Sequence, residues 1–159
     1  MFKWLQKVLS DGPVYVRVTR KRLRVIATKS GKTFDDEPLM AISDGKKKTI
    51  LAIGTSARLA GGTVINPFDH PRVLVHDYQV LEKMLQHAIS VVLDSGIIRT
   101  TPILVWQIDE PLDGGLTTIE SRVLREAALG AGASEVFIHS AKPLTNEQVL
   151  SGVYEQHAI

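Results

Sequence analysis

Five cationic side chains, Arg17, Arg20, Lys21, Arg22 and Arg24, fall within the ten-residue segment VRVTRKRLRV on a background of alternating valines and leucine. Guanidinium forks and an ammonium gathered in this way can hold phosphates or carboxylates. Thr117-x-x-Glu120 has the spacing of a capping box, in which the glutamate returns a hydrogen bond to the cap residue's amide at the positive end of a helix. His70, His76, His87, His139 and His157 never form a short-spaced pair that would bring two ligands to one helical face, so no metal site is expected. GTSARLAGG is not a G-x-S-x-G elbow, and the lack of cysteine removes thiolate chemistry and disulfides alike.

The partner of the basic segment turns on what accompanies it. Through residue 50 there are 12 Lys and Arg against 5 Asp and Glu, and beyond it 7 against 12, so an anionic partner should meet the first third of the chain. Aromatic residues are only 6% and no recognition-helix or stacking motif accompanies the arginines, which disfavours nucleic acid. A solvated hairpin, or a basic edge facing anionic lipid or an acidic protein surface, fits better. Charged edge strands also discourage uncontrolled strand addition.

The first ten residues, MFKWLQKVLS, place Met1, Phe2, Trp4, Leu5, Val8 and Leu9 within one helical arc of roughly 160°, with Lys3, Gln6, Lys7 and Ser10 on the other side. Asp11, Gly12 and Pro13 stop that helix, so residues 1–12 are expected as an amphipathic helix and 13–159 as one domain. Two aromatics opposite lysines suit the boundary between acyl chains and anionic headgroups, with Phe2, Trp4, Leu5, Val8 and Leu9 inserting and Lys3 and Lys7 helping. The other reading is a helix packed on its own domain. No apolar run approaches the roughly 20 residues that cross a bilayer.

At 159 residues, 44% hydrophobic and 23% charged, the chain can bury a core without staples. From Val14 the apolar residues alternate, predicting a strand pair around TRKR, and EPLMAIS and KTILAIG add two extended segments, giving a curled antiparallel sheet of three or four strands. SARLAG predicts a helical turn and TVINPF a short strand. Apolar residues recur at helical spacing across DYQVLEKMLQHAISVVLD. TPILVWQI reads as a buried strand, TTIESRVLREAALGAGA as a helix ending in glycines, EVFIHS as another strand and LTNEQVLSGVYEQ as a terminal helix. Strands followed by helix, strand, helix, strand and helix is the order of an α/β layer with helices on a mixed sheet.

VLEKMLQHAI and IESRVLREAALGAGASEVFI resemble the N-terminal lobe of the MreB-type bacterial actins, with DEPLMAI, AIGTSARLAGGTVINPF and the amphipathic start in the family's order. The resemblance implies an actin-like, ribonuclease-H-like lobe from an ATPase family that polymerises on the inner membrane and guides wall synthesis. By it the chain supplies the first lobe and not the second phosphate loop, the adenosine-binding segment or the opposite cleft wall. It further implies that the first hairpin should carry Asp-x-Gly-Thr for magnesium and phosphate. Counting back from Glu37-Pro38 puts Val18, Thr19, Arg20 and Lys21 there, or Arg17 to Arg20 after a shift of one, without an acid or a glycine. Glu120 falls where the family has a water-positioning glutamate, so that role stands beside its capping role. Lys142 replaces an acid of the family pattern.

The expectation is therefore a noncatalytic lobe without a cofactor, cytoplasmic and peripheral at the inner membrane. It would contact a full-length bacterial actin or a copy of itself through its sheet or helix faces, with Arg17, Arg20, Lys21, Arg22 and Arg24 as anion- or partner-binding residues and a role in cell shape or envelope organisation. A residual nucleotide-binding ATPase lobe and a basic-hairpin nucleic-acid module are the alternatives.

Overall fold

The computed structural model describes residues 11–93 and 101–157, so the amphipathic helix expected at the start, with Phe2, Lys3, Trp4, Leu5, Lys7, Val8 and Leu9, lies outside the described residues. β1 (Val14–Thr19) and β2 (Arg22–Ala27) form the predicted hairpin, with Val16 opposite Val25 and Thr19 opposite Arg22. β3 (Thr33–Asp36) extends it antiparallel to β2. β7 (Ile103–Ile108) and β8 (Glu135–His139) join in parallel on the other side of β1, and the order is β3-β2-β1-β7-β8.

Alternation along these strands separates two faces. Val14, Val16, Val18, Leu23, Val25, Leu104 and Trp106 are buried with α1 (Tyr78–Val92) and α2 (Thr118–Gly130), whose stripes of Leu81, Met84, Leu85, Ala88, Leu124, Ala127 and Ala128 face them. Full burial of each large apolar side chain contributes about 1.5–3 kcal/mol. Trp106 also donates its indole N–H to the Leu124 carbonyl at 3.2 Å, tying β7 to α2. The opposite face holds a smaller cluster of Tyr15, Val105, Leu144, Val149 and Tyr154. Gln107, buried on that face, is satisfied by the Tyr15 hydroxyl (3.2 Å) and the Ala141 carbonyl (3.0 Å). Among the described residues no helix is long and apolar enough to cross a membrane.

Two expectations are corrected. EPLMAIS and KTILAIG do not continue the first hairpin: β4 (Met40–Ile42) pairs with β5 (Ile50–Ile53) and β6 (Thr63–Ile65) in a separate three-stranded antiparallel sheet. Pro38, which has no N–H to give a ladder, and the turn bond from Leu39 N to Glu37 O (2.8 Å) part β3 from β4. The terminal helix is also broken. α3 (Asn146–Leu150) ends at Ser151, and a 3-10 turn (Val153–His157) follows Gly152, whose φ of 84° no helix can continue.

Candidate functional site

The β1–β2 turn consists of Arg20 and Lys21, and neither has a positive φ. Lys21 is exposed, whereas Arg20 is half-buried and is held through its amide, its carbonyl, Nε and Nη1. Its amide donates to Glu110 Oε2 at 2.8 Å, and its Nε lies 3.2 Å from Glu110 Oε1. Its Nη1 donates to the carbonyls of Phe68 (2.8 Å), Val73 (3.4 Å) and His70. Its own carbonyl accepts from Asn66 Nδ2 at 2.8 Å.

The carbonyls around Arg20 converge because the loop between β6 and α1 is folded on itself. Asn66 Oδ1 accepts from Phe68 N (2.9 Å), His76 N donates to Pro67 O (2.9 Å), and His76 Nε2 donates to Asn66 O (2.8 Å). His70 Nδ1 accepts from the amides of Arg72 and Val73 at 3.1 and 3.3 Å, so that nitrogen carries no proton. Glu110 reaches the turn because β7 runs parallel to β1, with Val18 beside Ile108, so the residues after β7 emerge at the hairpin tip.

Glu120 sits across the same loop. Thr117 and Glu120 make the capping box: Glu120 Oε2 accepts from Thr117 N (2.9 Å) and Oγ1 (2.8 Å), while Glu120 N donates to Thr117 Oγ1 (3.2 Å). Glu120 Oε1 accepts from the buried amide of Leu74 at 2.8 Å. The carboxylate is thus a joint between α2 and the β6–α1 loop. Desolvation raises its pKa, but the bonds from Thr117 and Leu74 and the charge of Arg20 outweigh it and hold the group below its ordinary value.

Arg17, Arg22 and Arg24 alternate with the core residues of β1 and β2 and so lie on the sheet face away from α1 and α2. Arg17 Nε donates to Asp109 Oδ2 (2.8 Å), Arg22 Nε to Asp35 Oδ1 (2.6 Å), and Arg24 to Asp35 Oδ2 through Nε (3.0 Å) and Nη2 (2.8 Å). Arg17, Arg22 and Arg24 line, with Asp109, a shallow hollow of about 160 Å³. The Arg22 hydrogen bond, and less strongly that of Arg24, lowers the Asp35 pKa against partial burial. Sequence reasoning grouped five cations that the fold divides, and it missed Asp35, Asn66, Asp109 and Glu110. The signal available for the last two was their place directly after a buried strand.

Because Glu120 and Asp35 are acidified on folding, their stabilisation is complete above about pH 5 and is lost as pH falls through the carboxylate range and below. Urea unfolding from about pH 7 to pH 3 is expected to show a midpoint that drops below pH 5. Glu120→Gln, which can still cap but cannot titrate, should flatten part of that drop. An unchanged slope in this variant would place the acid sensitivity elsewhere.

As built, the turn does not fit a metal-bound triphosphate. The Arg20 amide, which a phosphate would need, is given to Glu110, no glycine permits close backbone approach, and the cation-facing oxygens surround a guanidinium.

Comparison with known proteins reaches the same region of fold space. The cell shape-determining protein MreB of Pasteurella multocida is 34% identical over 116 residues, 68% of this chain and 32% of that protein. The MreB of Haemophilus influenzae is 32% identical over 124 residues, 72% of this chain and 33% of that protein. Among solved structures, MreB5 of Spiroplasma citri bound to AMPPNP superposes with a TM-score of 0.58 at 18% identity, over 80% of this chain and 38% of that one. The ADP-bound form gives 0.60 at 17% identity, over 82% and 39%. No family model matches the chain. The chain spans about one third of the length of the curated relatives it matches. A mixed five-stranded sheet with helices packed on it, this sequence similarity and this superposition make the chain a relative of the MreB-type bacterial actins, and what it shares with them is a single actin-like lobe.

Proposed function

We propose that the chain is a noncatalytic MreB-like lobe that acts by association, in cell-shape or envelope organisation, from the cytoplasmic side of the inner membrane. Its partner is a bacterial actin filament or a second copy of itself. What supports the noncatalytic reading is Arg20, whose amide and guanidinium occupy the turn that would otherwise have to receive phosphate. Glu120 adds to it, since both carboxylate oxygens are engaged in joining α2 to the neighbouring loop. Attachment to the membrane surface falls to Phe2, Trp4, Leu5, Val8 and Leu9 with Lys3 and Lys7, an apolar face opposite cations. Lys21, exposed at the hairpin tip, is left to face an acidic or anionic surface, beside Arg17, Arg22 and Arg24, which are paired with Asp109 and Asp35.

Calorimetric titration with magnesium and ATP is expected to give no saturable heat. Magnesium-dependent ATP binding that disappears in Glu120→Gln would establish a residual nucleotide enzyme instead. The chain is expected to sediment with vesicles containing anionic phospholipid, and Trp4→Glu to abolish this with the circular dichroism spectrum unchanged. Sedimentation indifferent to Trp4→Glu would reject the membrane role.

A further inference from the structure

One ring nitrogen closes the turn by which the loop between β6 and α1 reaches the hairpin tip. His70 Nδ1 accepts from the amides of both Arg72 (3.1 Å) and Val73 (3.3 Å), and Pro71, which intervenes, has no N–H to offer. The turn brings the carbonyls of His70 and Val73 to Arg20 Nη1 and the amide of Leu74 to Glu120 Oε1 at 2.8 Å. A single imidazole thus stands behind contacts to both the hairpin tip and α2.

An acceptor at Nδ1 carries no proton, so the ring is neutral with its hydrogen on Nε2. Imidazolium donates at both nitrogens, and its Nδ1–H would point at two N–H groups. The half-buried Val73 amide would then lose its partner. His76, whose ring centroid lies 5.9 Å away, behaves differently: its Nε2 donates to Asn66 O whether the ring is neutral or protonated, so acid leaves that bond intact. The bond from Phe68 N to Asn66 Oδ1 contains no titrating group.

The charges around His70 also oppose a proton there. The hairpin tip presents the Arg20 guanidinium, bonded to the His70 carbonyl, and a protonated His76 would add a second cation. Glu110, after β7, is occupied by Arg20, and Glu120, on α2, by Thr117 and Leu74. Within the loop, Asp69 and Arg72 are exposed and of opposite sign, and Asp77 accepts from Val80 N as the N-cap of α1.

We propose that His70 is an acid-sensitive latch: neutral, it pins the β6–α1 loop over the hairpin tip, and protonated, it releases residues 72–74 and with them the carbonyls that hold Arg20. The sign follows from linkage. The opened loop binds a proton at Nδ1 that the closed loop excludes, so closure weakens as pH falls through the imidazole range, above the range in which Glu120 and Asp35 act. The latch operates whatever the chain associates with.

Site-resolved amide hydrogen exchange on the full chain, corrected for the intrinsic pH dependence of exchange, tests this. Protection of the Arg72, Val73 and Leu74 amides is expected to fall roughly tenfold between about pH 7.5 and about pH 5.5. His70→Asn supplies a side-chain oxygen that can accept from the same amides and does not titrate, and it should abolish the fall. His76→Gln, which keeps a donor for Asn66 O, should leave the fall in place. In the unsubstituted protein the nitrogen chemical shifts of the His70 ring at about pH 7.5 should show a protonated Nε2 and a bare Nδ1, a reading that needs no variant to fold. A proton on Nδ1 under those conditions, protection that does not change with pH, or an equal fall in His70→Asn would each overturn the proposal. A fall removed by His76→Gln alone would move the switch to His76 and overturn it as well.

Discussion

Arg20→Ala is expected to destabilise the chain by about 2–4 kcal/mol, lowering the thermal midpoint by about 10 °C. The loss comes less from the ion pair itself than from what its removal strands. The Glu110 carboxylate loses its countercharge, and the carbonyls of Phe68, His70 and Val73 lose a shared donor. Partial exposure of Arg20 (27%) and Glu110 (19%) keeps the figure below that of a fully buried pair. Arg20→Lys should recover little, because one ammonium cannot serve a carboxylate and three carbonyls at once. In a double-mutant cycle, Glu110→Ala should cost less in the Arg20→Ala background than alone. A change within about 0.5 kcal/mol for Arg20→Ala would show that the turn is not held by this network.

A comparable effect, about 3 kcal/mol or more, is expected for Gly54→Ala. Gly54 has φ 90° and ψ −159°, a region that residues with a side chain essentially do not occupy. A Cβ there would also run into the Asp36 carboxylate, whose Oδ1 accepts from Glu37 N (2.8 Å), Thr55 N (2.9 Å) and Thr55 Oγ1 (2.5 Å). The substitution therefore strains the backbone and displaces the acid that links β3 to the 3-10 turn at Thr55–Leu59. Combining Gly54→Ala with Asp36→Ala should cost less than the sum of the two, since the collision partner is gone. Denaturant midpoints of the four proteins measure this, and strict additivity would refute the collision.

These contacts mark the limit of what could be read from residue order. The α1 stripe was legible because helical spacing is local: Val80, Leu81, Met84, Leu85, Ala88 and Val92 are all buried, although Val91, apolar and in the same segment, is 48% exposed. The β1–β2 alternation was legible for the same reason. β3 was not, since TFDD offers one apolar residue and no period. The small sheet was not either, because an extended segment does not declare its partner, and β4 is flanked by strands on both sides only after β6 folds back. The capping role of Glu120 came from spacing within one turn, whereas its bond to Leu74 joins residues 46 positions apart. The basic cluster was visible as charge, but its division between the hairpin tip and one sheet face depends on Asp35, Asp109 and Glu110, which only the fold brings near.

The bonds that secure the hairpin tip also set a schedule for assembly. Arg20 is joined to residues 46 to 90 positions away in the chain. The hairpin itself can zip early from neighbouring residues, but its tip is fastened only after β7 has docked beside β1 and the loop after β6 has curled over it. The fastening therefore contributes little to the rate of folding and mainly slows the escape from the native state, so Arg20 governs the lifetime of the fold more than its formation.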